Sequence, residues 1–555
     1  MAIDLTSEQK EIGKANFHRV VGQLGDPKSP VNRRDFMKGM VAGAAAVPIT
    51  AAAYFGYQAA KNFDRPVKTA FIGVGDEGGV LIGEHNPKYL DVIAVCDIRP
   101  SNQKRIFEDE KKTNPNSPRR GLKHHYGKDC DQTIKVYDDY KKMLQEQPEI
   151  EAVVIALPLH LHAPCAIDVM KIGKERGKPV HVLCEKLMAW NIGQCKEMIK
   201  VAEETDSVLS IGHQRHYSML YAHGVEMLNT GLLGDVKHIR ALWHRNNATP
   251  RVDDKGNILK DPKTGEVLIR DSWFPEVKKE DRDALTGKLD TYGYKSLEEL
   301  VRWRIYERTG GGLMAELGSH QLDACSIFLG KVKPLAVTGV GTKAFYREQY
   351  KRGEREAHDH VFVTYEFPGK NYWADEAHTA VKDGDDRVVV TYSSINTNAF
   401  EGYGECIMGS KGFLVVQEER DIMLYPERGA LSRSTSVSVV AGGGGAPVLA
   451  ADPSGPPAAA AASVTAGAAS LGAGPPSRGY REEMEHFAYC IRMWQEGGSK
   501  QDRPLPRCHG KVAMADAVIA LCANHAINSH QRIEFKPEWF DAASGGTPEG
   551  DLKKA

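Results

Sequence analysis

The sequence has no excess of charge of either sign. Its 555 residues include 72 lysines and arginines against 73 aspartates and glutamates, which gives a formal net charge of −1. Because no strongly basic surface follows from this balance, we expect neither a nucleic acid nor an anionic membrane as partner. We also find no internal repeat, and the length is sufficient for several domains.

The cysteines lack the spacing of a metal or disulfide framework. The ten cysteines stand at positions 96, 130, 165, 184, 195, 325, 406, 490, 508 and 522, without a C-x-x-C pair. Several lie inside apolar strand or helix patterns, where a thiol behaves as a small buried hydrophobe. We therefore predict neither zinc ligands nor a set of disulfides.

Long runs of strongly apolar residues are also scarce near the N-terminus. Residues 32–38, Asn-Arg-Arg-Asp-Phe-Met-Lys, precede a weakly apolar, alanine-rich stretch that extends to Tyr57. This order is typical of a twin-arginine export signal, which we place in a leader of residues 1–65. An ordinary short helix and an uncleaved membrane tether stay open as alternatives, although a stable span needs about 20 strongly apolar residues. We expect a periplasmic or otherwise exported protein that is a client of the twin-arginine machinery.

A glycine-punctuated turn between a strand and a helix is the most informative motif. In residues 67–79, Val-Lys-Thr-Ala-Phe-Ile-Gly-Val-Gly-Asp-Glu-Gly-Gly, the glycines have separate functions. Gly73 permits a sharp turn, Gly75 lets backbone N–H groups approach a pyrophosphate, and Gly78 lets the helix pack closely on the strand. The N-terminus of that helix directs its unpaired donors at the phosphates. The turn predicts a dinucleotide site.

Asp97 ends the next predicted strand, 19 residues after Gly78. A carboxylate at about this spacing binds the 2′-OH of the adenosine ribose. Asp97 would repel a 2′-phosphate, whereas Arg99 could bind one, so NAD is favoured and NADP stays open. We expect the side chains of Asp76 and Glu77 to point to solvent, since they would repel a pyrophosphate.

The order of predicted elements indicates an α/β protein with two domains. Over residues 66–215, buried strands alternate with helices, which predicts a Rossmann domain with a doubly wound parallel sheet. From about Tyr217 the strands are longer and few helices separate them. Residues 216–545 are therefore expected to form an α+β substrate domain with an open, mainly antiparallel sheet.

Two segments of the second domain have the composition of insertions. Residues 253–300 are charged, and we interpret them as a lid or surface arm. Residues 441–476 consist almost entirely of alanine, glycine, proline, serine and valine, so we expect a disordered loop.

Two places could carry chemistry. Lys186 ends a predicted parallel strand at the edge where nucleotides bind, and its ammonium could stabilise a developing oxyanion beside a nicotinamide. Further on, Glu316, His320 and Asp323 are spaced to share one helix face, so Glu316 could orient His320 as a general base. A half-buried structural histidine and a metal site are the alternatives; such residues are common without a metal, and we predict none.

These motifs resemble those of the glucose-fructose oxidoreductase, inositol dehydrogenase and MocA (Gfo/Idh/MocA) family. The resemblance covers roughly residues 66–240, 301–425 and 479–540. It implies that Pro158, His162 and Glu185-Lys186 line the cofactor. It also implies that Glu316 and His320 handle the substrate proton, that Asp323 is near the substrate, and that Arg215 leads into a sugar pocket. Leu187 and Glu316 depart from the family's proline and aspartate.

The resemblance implies a nicotinamide-dependent oxidoreductase that acts on a secondary alcohol of a sugar, cyclitol or related polyol. Some relatives instead cleave glycosides by transient oxidation and elimination, which is the first alternative. A noncatalytic sugar-binding protein is the second. An exposed face of the second sheet favours a homo-oligomer.

Overall fold

The computed structural model describes the residues in twelve stretches. They are 6–23, 55–57, 65–110, 119–251, 253, 257–346, 355–426, 438–441, 447–450, 478–497, 499–500 and 502–552. The twin-arginine motif and most of the alanine-rich stretch lie outside these residues. Of the predicted disordered loop, the structure describes only residues 441 and 447–450, so that prediction is not tested.

The N-terminal half forms a six-stranded parallel sheet in the order β3-β2-β1-β4-β5-β6. Its strands are β1 Val67–Ile72, β2 Leu90–Cys96, β3 Lys135–Tyr137, β4 Ala152–Ile155, β5 His181–Glu185 and β6 Leu209–Gly212. The order reverses between β1 and β4, and a crevice at such a point is where nucleotides bind. The Rossmann prediction is confirmed.

Helices connect these strands. Apolar residues recur on one side of each helix, and that side packs on the sheet. Before the sheet stands α1, Ser7–Gln23. The helices of this half are α2 Asp76–Glu84, α3 Pro100–Arg105, α4 Leu122–Tyr126, α5 Cys130–Thr133, α6 Tyr140–Glu146, α7 His162–Glu175 and α8 Ile192–Glu204. All four residues of β4 are buried, as expected for a parallel strand covered on both faces.

The second half is built on an eight-stranded sheet in the order β15-β14-β13-β7-β12-β11-β10-β18. The strands are β7 Val236–His244, β10 Ala336–Thr342, β11 His360–Pro368, β12 Arg387–Ile395, β13 Tyr403–Gly409, β14 Gly412–Gln417, β15 Asp421–Pro426 and β18 Ile533–Glu534. Among the described strands of this sheet, only β7 and β12 pair in parallel. The predicted mainly antiparallel sheet is confirmed.

Further elements surround this sheet. The short strands β8 Ala248–Pro250 and β9 Ile269–Asp271 pair with each other, as do β16 Ser438–Ala441 and β17 Pro447–Ala450. The helices are α9 Met219–Asn229, α10 Lys279–Leu285, α11 Leu297–Val301, α12 Ser319–Phe328, α13 Tyr480–Gln495, α14 Gly510–Ser529 and α15 Pro548–Asp551.

Helix α13 returns to the first half of the chain. Met484, Phe487 and Ile491 are buried together with Phe71 and Leu81 of the Rossmann domain. A domain boundary at residues 215 and 216 therefore separates α13 from the sheet that it covers. Among the described residues, α14 is the one helix long and apolar enough to cross a bilayer, and 72% of its most apolar window is buried inside the protein.

The insertion 253–300 packs on the carboxyl edge of the parallel sheet. Leu285 and Tyr294 form a small apolar cluster with Leu300, against which Ile98 and Leu161 pack. Ile98 and Leu161 follow β2 and β4, so the insertion covers the crevice between the two halves of the sheet.

Candidate functional site

The glycine turn has the geometry that its sequence predicts. Gly73 has φ +85°, and a Cβ there would overlap the carbonyl of Ala156. A Cβ on Gly78 would overlap the carbonyl oxygen of Gly73, so the helix packs too closely for any side chain. Around Gly75 the nearest atom to such a Cβ is Asn102 Nδ2 at 3.7 Å. The space beside Gly75 is therefore open to a ligand at the N-terminus of α2.

Asp97 lies at the predicted end of β2 and is held by three hydrogen bonds. Its carboxylate accepts from the backbone N–H groups of Val74 at 3.0 Å and Arg99 at 2.8 Å, and from Asn102 Nδ2 at 3.0 Å. Burial raises the pKa of Asp97, although these donors oppose the shift. The carboxylate is fixed in the position expected for a ribose ligand.

Asp76 and Glu77 behave differently from each other. The side chain of Asp76 is 70% exposed, as the sequence predicts, and it pairs with Arg105 at 2.9 Å. Glu77 turns inward instead: its Oε1 is buried without a hydrogen-bond partner, and burial raises its pKa. The solvent-facing prediction for Glu77 is wrong, because one face of this short helix packs on the protein.

A cavity of about 710 Å³ runs along the carboxyl edge of the parallel sheet. It is lined by Gly73, Gly75, Asp97, Pro158, His162, Glu185, Lys186 and Glu316, which were all predicted as site residues. Its opposite wall comes largely from the insertion, including Trp273 and Tyr294. The open turn, the fixed carboxylate and this volume fit a dinucleotide.

Lys186 projects from the end of β5 into this cavity. Its ammonium donates a hydrogen bond to the backbone carbonyl of Glu316 at 2.8 Å, so it bridges the two halves of the molecule. The peptide bond between Lys186 and Leu187 is cis. The ring of His162 holds the same loop, with Nδ1 2.8 Å from the carbonyl oxygen of Leu187 and Nε2 2.8 Å from that of Leu157.

Glu185 lies beneath this lysine and faces other carboxyl groups. It is 4% exposed, its Oε1 has no hydrogen-bond partner, and burial together with nearby Glu77 raises its pKa well above the usual value. Glu483 of α13 is fully buried, and neither of its carboxyl oxygens has a partner. Burial and the nearby carboxyl group of Glu77 therefore disfavour a negative charge on Glu185 under the dinucleotide cavity.

Glu316 does not pair with His320. Its carboxylate accepts a 2.5 Å hydrogen bond from Arg304 Nε, and the nearby cations of Arg304 and Lys186 overcome burial to lower its pKa to about 2. Residues Met314–Gly318 form a π-helical turn, and the carboxylate of Glu316 within it is directed at Arg304. The pairing of Glu316 with His320 that the i, i+4 spacing predicts is therefore not formed.

His320 lies behind the cavity wall, one turn beyond Glu316. It is 8% exposed, packs its ring 5.4 Å from that of Trp243, and its Nδ1 has no hydrogen-bond partner. Burial and the nearby ammonium of Lys186 lower its pKa well below the usual value, so the imidazole is neutral. His320 is not one of the described residues that line the cavity.

Arg215 has a structural position rather than the predicted substrate contact. It is 1% exposed and forms ion pairs with Glu405 at 3.0 Å and Glu419 at 2.7 Å. It also donates to the backbone carbonyl of His320 at 2.6 Å. The segment lies against α12, and buried carboxylates bind Nε and Nη1 of the guanidinium, whereas Nη2 is buried without a hydrogen-bond partner.

Asp323 likewise points away from the cavity, into a buried charge cluster. It accepts from His216 Nε2 at 2.8 Å and Lys331 Nζ at 2.6 Å. Burial would raise the pKa of Asp323, but His216 and Lys331 hold it well below the usual value. Asp323 lies near His213 and Asp516 in a group that could hold a metal, yet Lys331 donates to both carboxylates. The ammonium supplies the positive charge there.

Sequence reasoning missed two contributors to the cavity. Arg304 holds Glu316, but it precedes the glycine run without any periodic signal. The insertion, interpreted as a lid or surface arm, supplies Trp273 and Tyr294, which its charged composition did not single out. Their positions follow from tertiary packing, although the glycines at 310–312 mark a tight chain turn nearby.

Comparison with known families assigns both halves of the chain. A profile described as the oxidoreductase family, NAD-binding Rossmann fold, matches residues 67–213, and the GFO/IDH/MocA C-terminal domain matches residues 288–395. These two regions belong to the Gfo/Idh/MocA family. Its NAD-binding domain thus contains the glycine turn, Asp97 and Lys186, as the resemblance in the sequence predicts.

Individual members of the Gfo/Idh/MocA family are distant from this chain. A glycosyl hydrolase family 109 protein of Stenotrophomonas maltophilia is 28% identical over 212 residues, which are 38% of this chain and 42% of that protein. An uncharacterized oxidoreductase of Streptococcus pneumoniae is 22% identical over 50% of this chain and 60% of its own length. The chain therefore spans less than two thirds of these curated relatives.

A solved Gfo/Idh/MocA-type structure agrees over a greater length. An inositol dehydrogenase homolog from Azotobacter vinelandii, complexed with NADH and myo-inositol, superposes with a TM-score of 0.54 at 14% identity. The match covers 85% of this chain and 98% of that protein. At this identity the similarity establishes the fold.

Proposed function

We propose that the protein is an NAD-dependent oxidoreductase that acts on a secondary alcohol of a sugar, cyclitol or related polyol. The observation that carries this proposal is the position of Lys186, whose ammonium enters the dinucleotide cavity and is held by Glu316 of the opposite half. A fixed cation in a water-poor crevice is suited to an oxygen that gains negative charge. NAD, when bound, supplies a nicotinamide ring that accepts or donates a hydride.

In this proposal, Lys186 stabilises the alkoxide oxygen and His320 exchanges its proton. The low pKa of His320 keeps the imidazole neutral, and its partnerless Nδ1 can accept a proton. Because His320 lies behind the cavity wall, the proton reaches it only if substrate or a water extends past Glu316. Glu316 positions Lys186 through its carbonyl and Arg304 through its carboxylate.

A second candidate function is glycoside cleavage through transient oxidation and elimination. The family 109 glycosyl hydrolase from Stenotrophomonas maltophilia supports it, since that relative matches this chain at 28% identity. The same cavity would serve both reactions, because each begins by removing a hydride from a sugar carbon.

One experiment separates these candidates. Purified protein is unfolded, the released nucleotide is identified by mass spectrometry, and folded protein is then assayed with a panel of sugars, polyols and nitrophenyl glycosides. Net change at the nicotinamide absorbance supports the oxidoreductase, whereas glycoside cleavage without such a change supports the hydrolase. Absence of both activities across the panel, with NAD bound, would contradict both.

We also propose export by the twin-arginine route, on the basis of residues 32–57 alone. Replacing Arg33 and Arg34 together by lysine should retain the full-length protein in the cytoplasm. Fractionation of cells with an antibody against the C-terminal half measures this. An unchanged distribution would contradict the proposal.

Self-association is proposed from the exposed face of the large sheet. Val340 is 58%, Phe362 45% and Val389 36% exposed, on the neighbouring strands β10, β11 and β12. Val340 and Phe362 are directly opposite each other on neighbouring strands, and an exposed apolar pair of this kind favours burial against a second copy. Light scattering should show an oligomer that Phe362→Glu converts to a monomer.

A further inference from the structure

The insertion contributes a carboxylate to the nucleotide site, at Asp281. Asp281 is fully buried at the N-terminus of α10, although it belongs to a segment whose sequence is mostly charged and exposed. A buried carboxylate requires partners, and here all of its partners come from the Rossmann domain. These partners indicate the function of Asp281.

Those partners lie at the start of α3, directly after Asp97. Asp281 accepts a 2.9 Å hydrogen bond from Arg99 Nε, a 3.0 Å bond from the backbone N–H of Ser101 and a 2.8 Å bond from Ser101 Oγ. Burial opposes ionisation, but Ser101 and Arg99 outweigh it and lower the pKa of Asp281. The carboxylate is therefore negative and directed at Arg99.

Arg99 is the cation placed to recognise a 2′-phosphate. It lies two residues beyond Asp97 and lines the same cavity. An arginine near the ribose is what allows some Rossmann domains to accept NADP. In this chain its guanidinium pairs with Asp281 at 2.9 Å, while Asp97 lines the cavity at the position expected for a ribose ligand.

Neighbouring cations are paired in the same way. Lys104 of α3 lies 3.3 Å from Glu280, which precedes Asp281 in the insertion, and Arg105 lies 2.9 Å from Asp76. Lys278 of the insertion also lines the cavity. Asp97, Arg99 and Asp281 together carry one net negative charge, which disfavours a dianionic phosphate group.

We propose that Asp281 is a specificity-determining residue which neutralises Arg99 and thereby selects NAD over NADP. The insertion is then part of the nucleotide site as well as its cover. The proposal concerns nucleotide binding alone, and it stands whichever reaction the protein catalyses.

The test compares dissociation constants of NAD and NADP for the full-length protein after bound nucleotide has been removed, measured by isothermal titration calorimetry. Asp281→Asn keeps the shape and, through Oδ1, the bond from the backbone N–H of Ser101, whereas an amide NH2 replaces the charged oxygen that accepts from Ser101 Oγ and Arg99 Nε. We expect the preference for NAD over NADP to fall by about tenfold, mainly through tighter NADP binding. Adding Arg99→Ala to this variant should cancel the gain.

Glu280→Gln is the matched control, because Glu280 is adjacent in sequence but contacts the exposed Lys104. It should leave the preference unchanged within about twofold. An unchanged preference in folded Asp281→Asn protein, or an equal shift in Glu280→Gln, would overturn the proposal. So would a wild-type protein that binds NADP as tightly as NAD.

Should Asp281→Asn fail to fold, the double variant Arg99→Ala/Asp281→Ala gives the answer, because it removes both charges of the pair and leaves the net charge unchanged. If Asp281 neutralises Arg99, removing the pair changes NADP affinity by less than about threefold. A loss of tenfold or more would show that Arg99 is a free phosphate ligand, which contradicts the proposal.

Discussion

The two sides of the cavity differ in how closely they follow the local sequence. On the Rossmann side, Gly73, Asp97 and Lys186 all lie where strand ends predict them. On the side of α12, Arg215 and Asp323 were predicted near substrate, but both are buried in ion pairs. The sheet fixes the position of a residue at a strand end. The position of a side chain on a helix relative to the cavity depends instead on what packs against each face of that helix.

This difference predicts that substitutions on the side of α12 mainly lower the stability of the protein. Arg215→Met leaves Glu405 without its 3.0 Å partner inside the protein. We expect the free energy of unfolding to fall by about 3–5 kcal/mol, because an uncompensated buried charge results. Urea denaturation followed by circular dichroism measures it.

The control for Arg215 is Arg478→Met, which removes another partner of Glu419. Arg478 is 40% exposed, so its loss should cost less than about 1 kcal/mol. If Arg215→Met instead raised the KM for substrate and left stability intact, the comparison would fail.

On the Rossmann side, Lys186→Met should lower kcat by about 10²–10³. NAD should stay bound and the melting temperature should change little, since Lys186 contributes one hydrogen bond to Glu316. Steady-state kinetics with the best substrate from the panel give the measurement. Lys200→Met, on the exposed face of α8, is the control and should leave kcat unchanged.

The glycine turn offers a matched pair of substitutions. Gly78→Ala overlaps the carbonyl of Gly73 and should destabilise the fold by about 1–3 kcal/mol. Gly75→Ala meets no protein atom closer than 3.7 Å and should fold normally, yet weaken NAD binding. Thermal denaturation and NAD titration, done on both variants, distinguish the two effects. Equal stability of the two variants would contradict this reading of the turn.

A smaller effect is expected at the contact between Arg304 and Glu316. Arg304→Gln and Glu316→Gln should each lower kcat about tenfold, because each loosens the segment that holds Lys186. The double variant should lose no more than either single variant, as in a coupled pair. Additive losses would show that the two side chains act independently.

The smallest expected effect is the absence of a pH response. The pKa of His320 is well below its usual value, so its neutral form persists as pH falls through 6.5. The ratio kcat/KM should therefore stay flat between about pH 6 and 8, with an acid limb only at lower pH. A midpoint near 6.5 that disappears in His320→Asn would contradict this environment.

Sequence reasoning located the nucleotide half of the site because its signals are local. A glycine with φ +85°, a carboxylate 19 residues after Gly78 and a lysine after a buried strand are fixed by chain geometry. It did not foresee that Glu316 would pair with Arg304, since Arg304 lies 12 residues earlier, before the glycine run, and no periodic pattern connects the two. It interpreted the insertion as a lid or surface arm, but charged composition does not reveal a buried Asp281.

By itself, the amino-acid sequence determined the two-domain fold, the dinucleotide turn and the place of Lys186. Each depends on short-range steric constraints or on alternation along one strand. Tertiary structure alone decided which charges neutralise one another: Asp281 with Arg99, Glu316 with Arg304, and Asp323 with Lys331. The partners lie 182, 12 and 8 residues apart in the chain, and a buried carboxylate is stabilised only by a cation that the fold brings within hydrogen-bond distance.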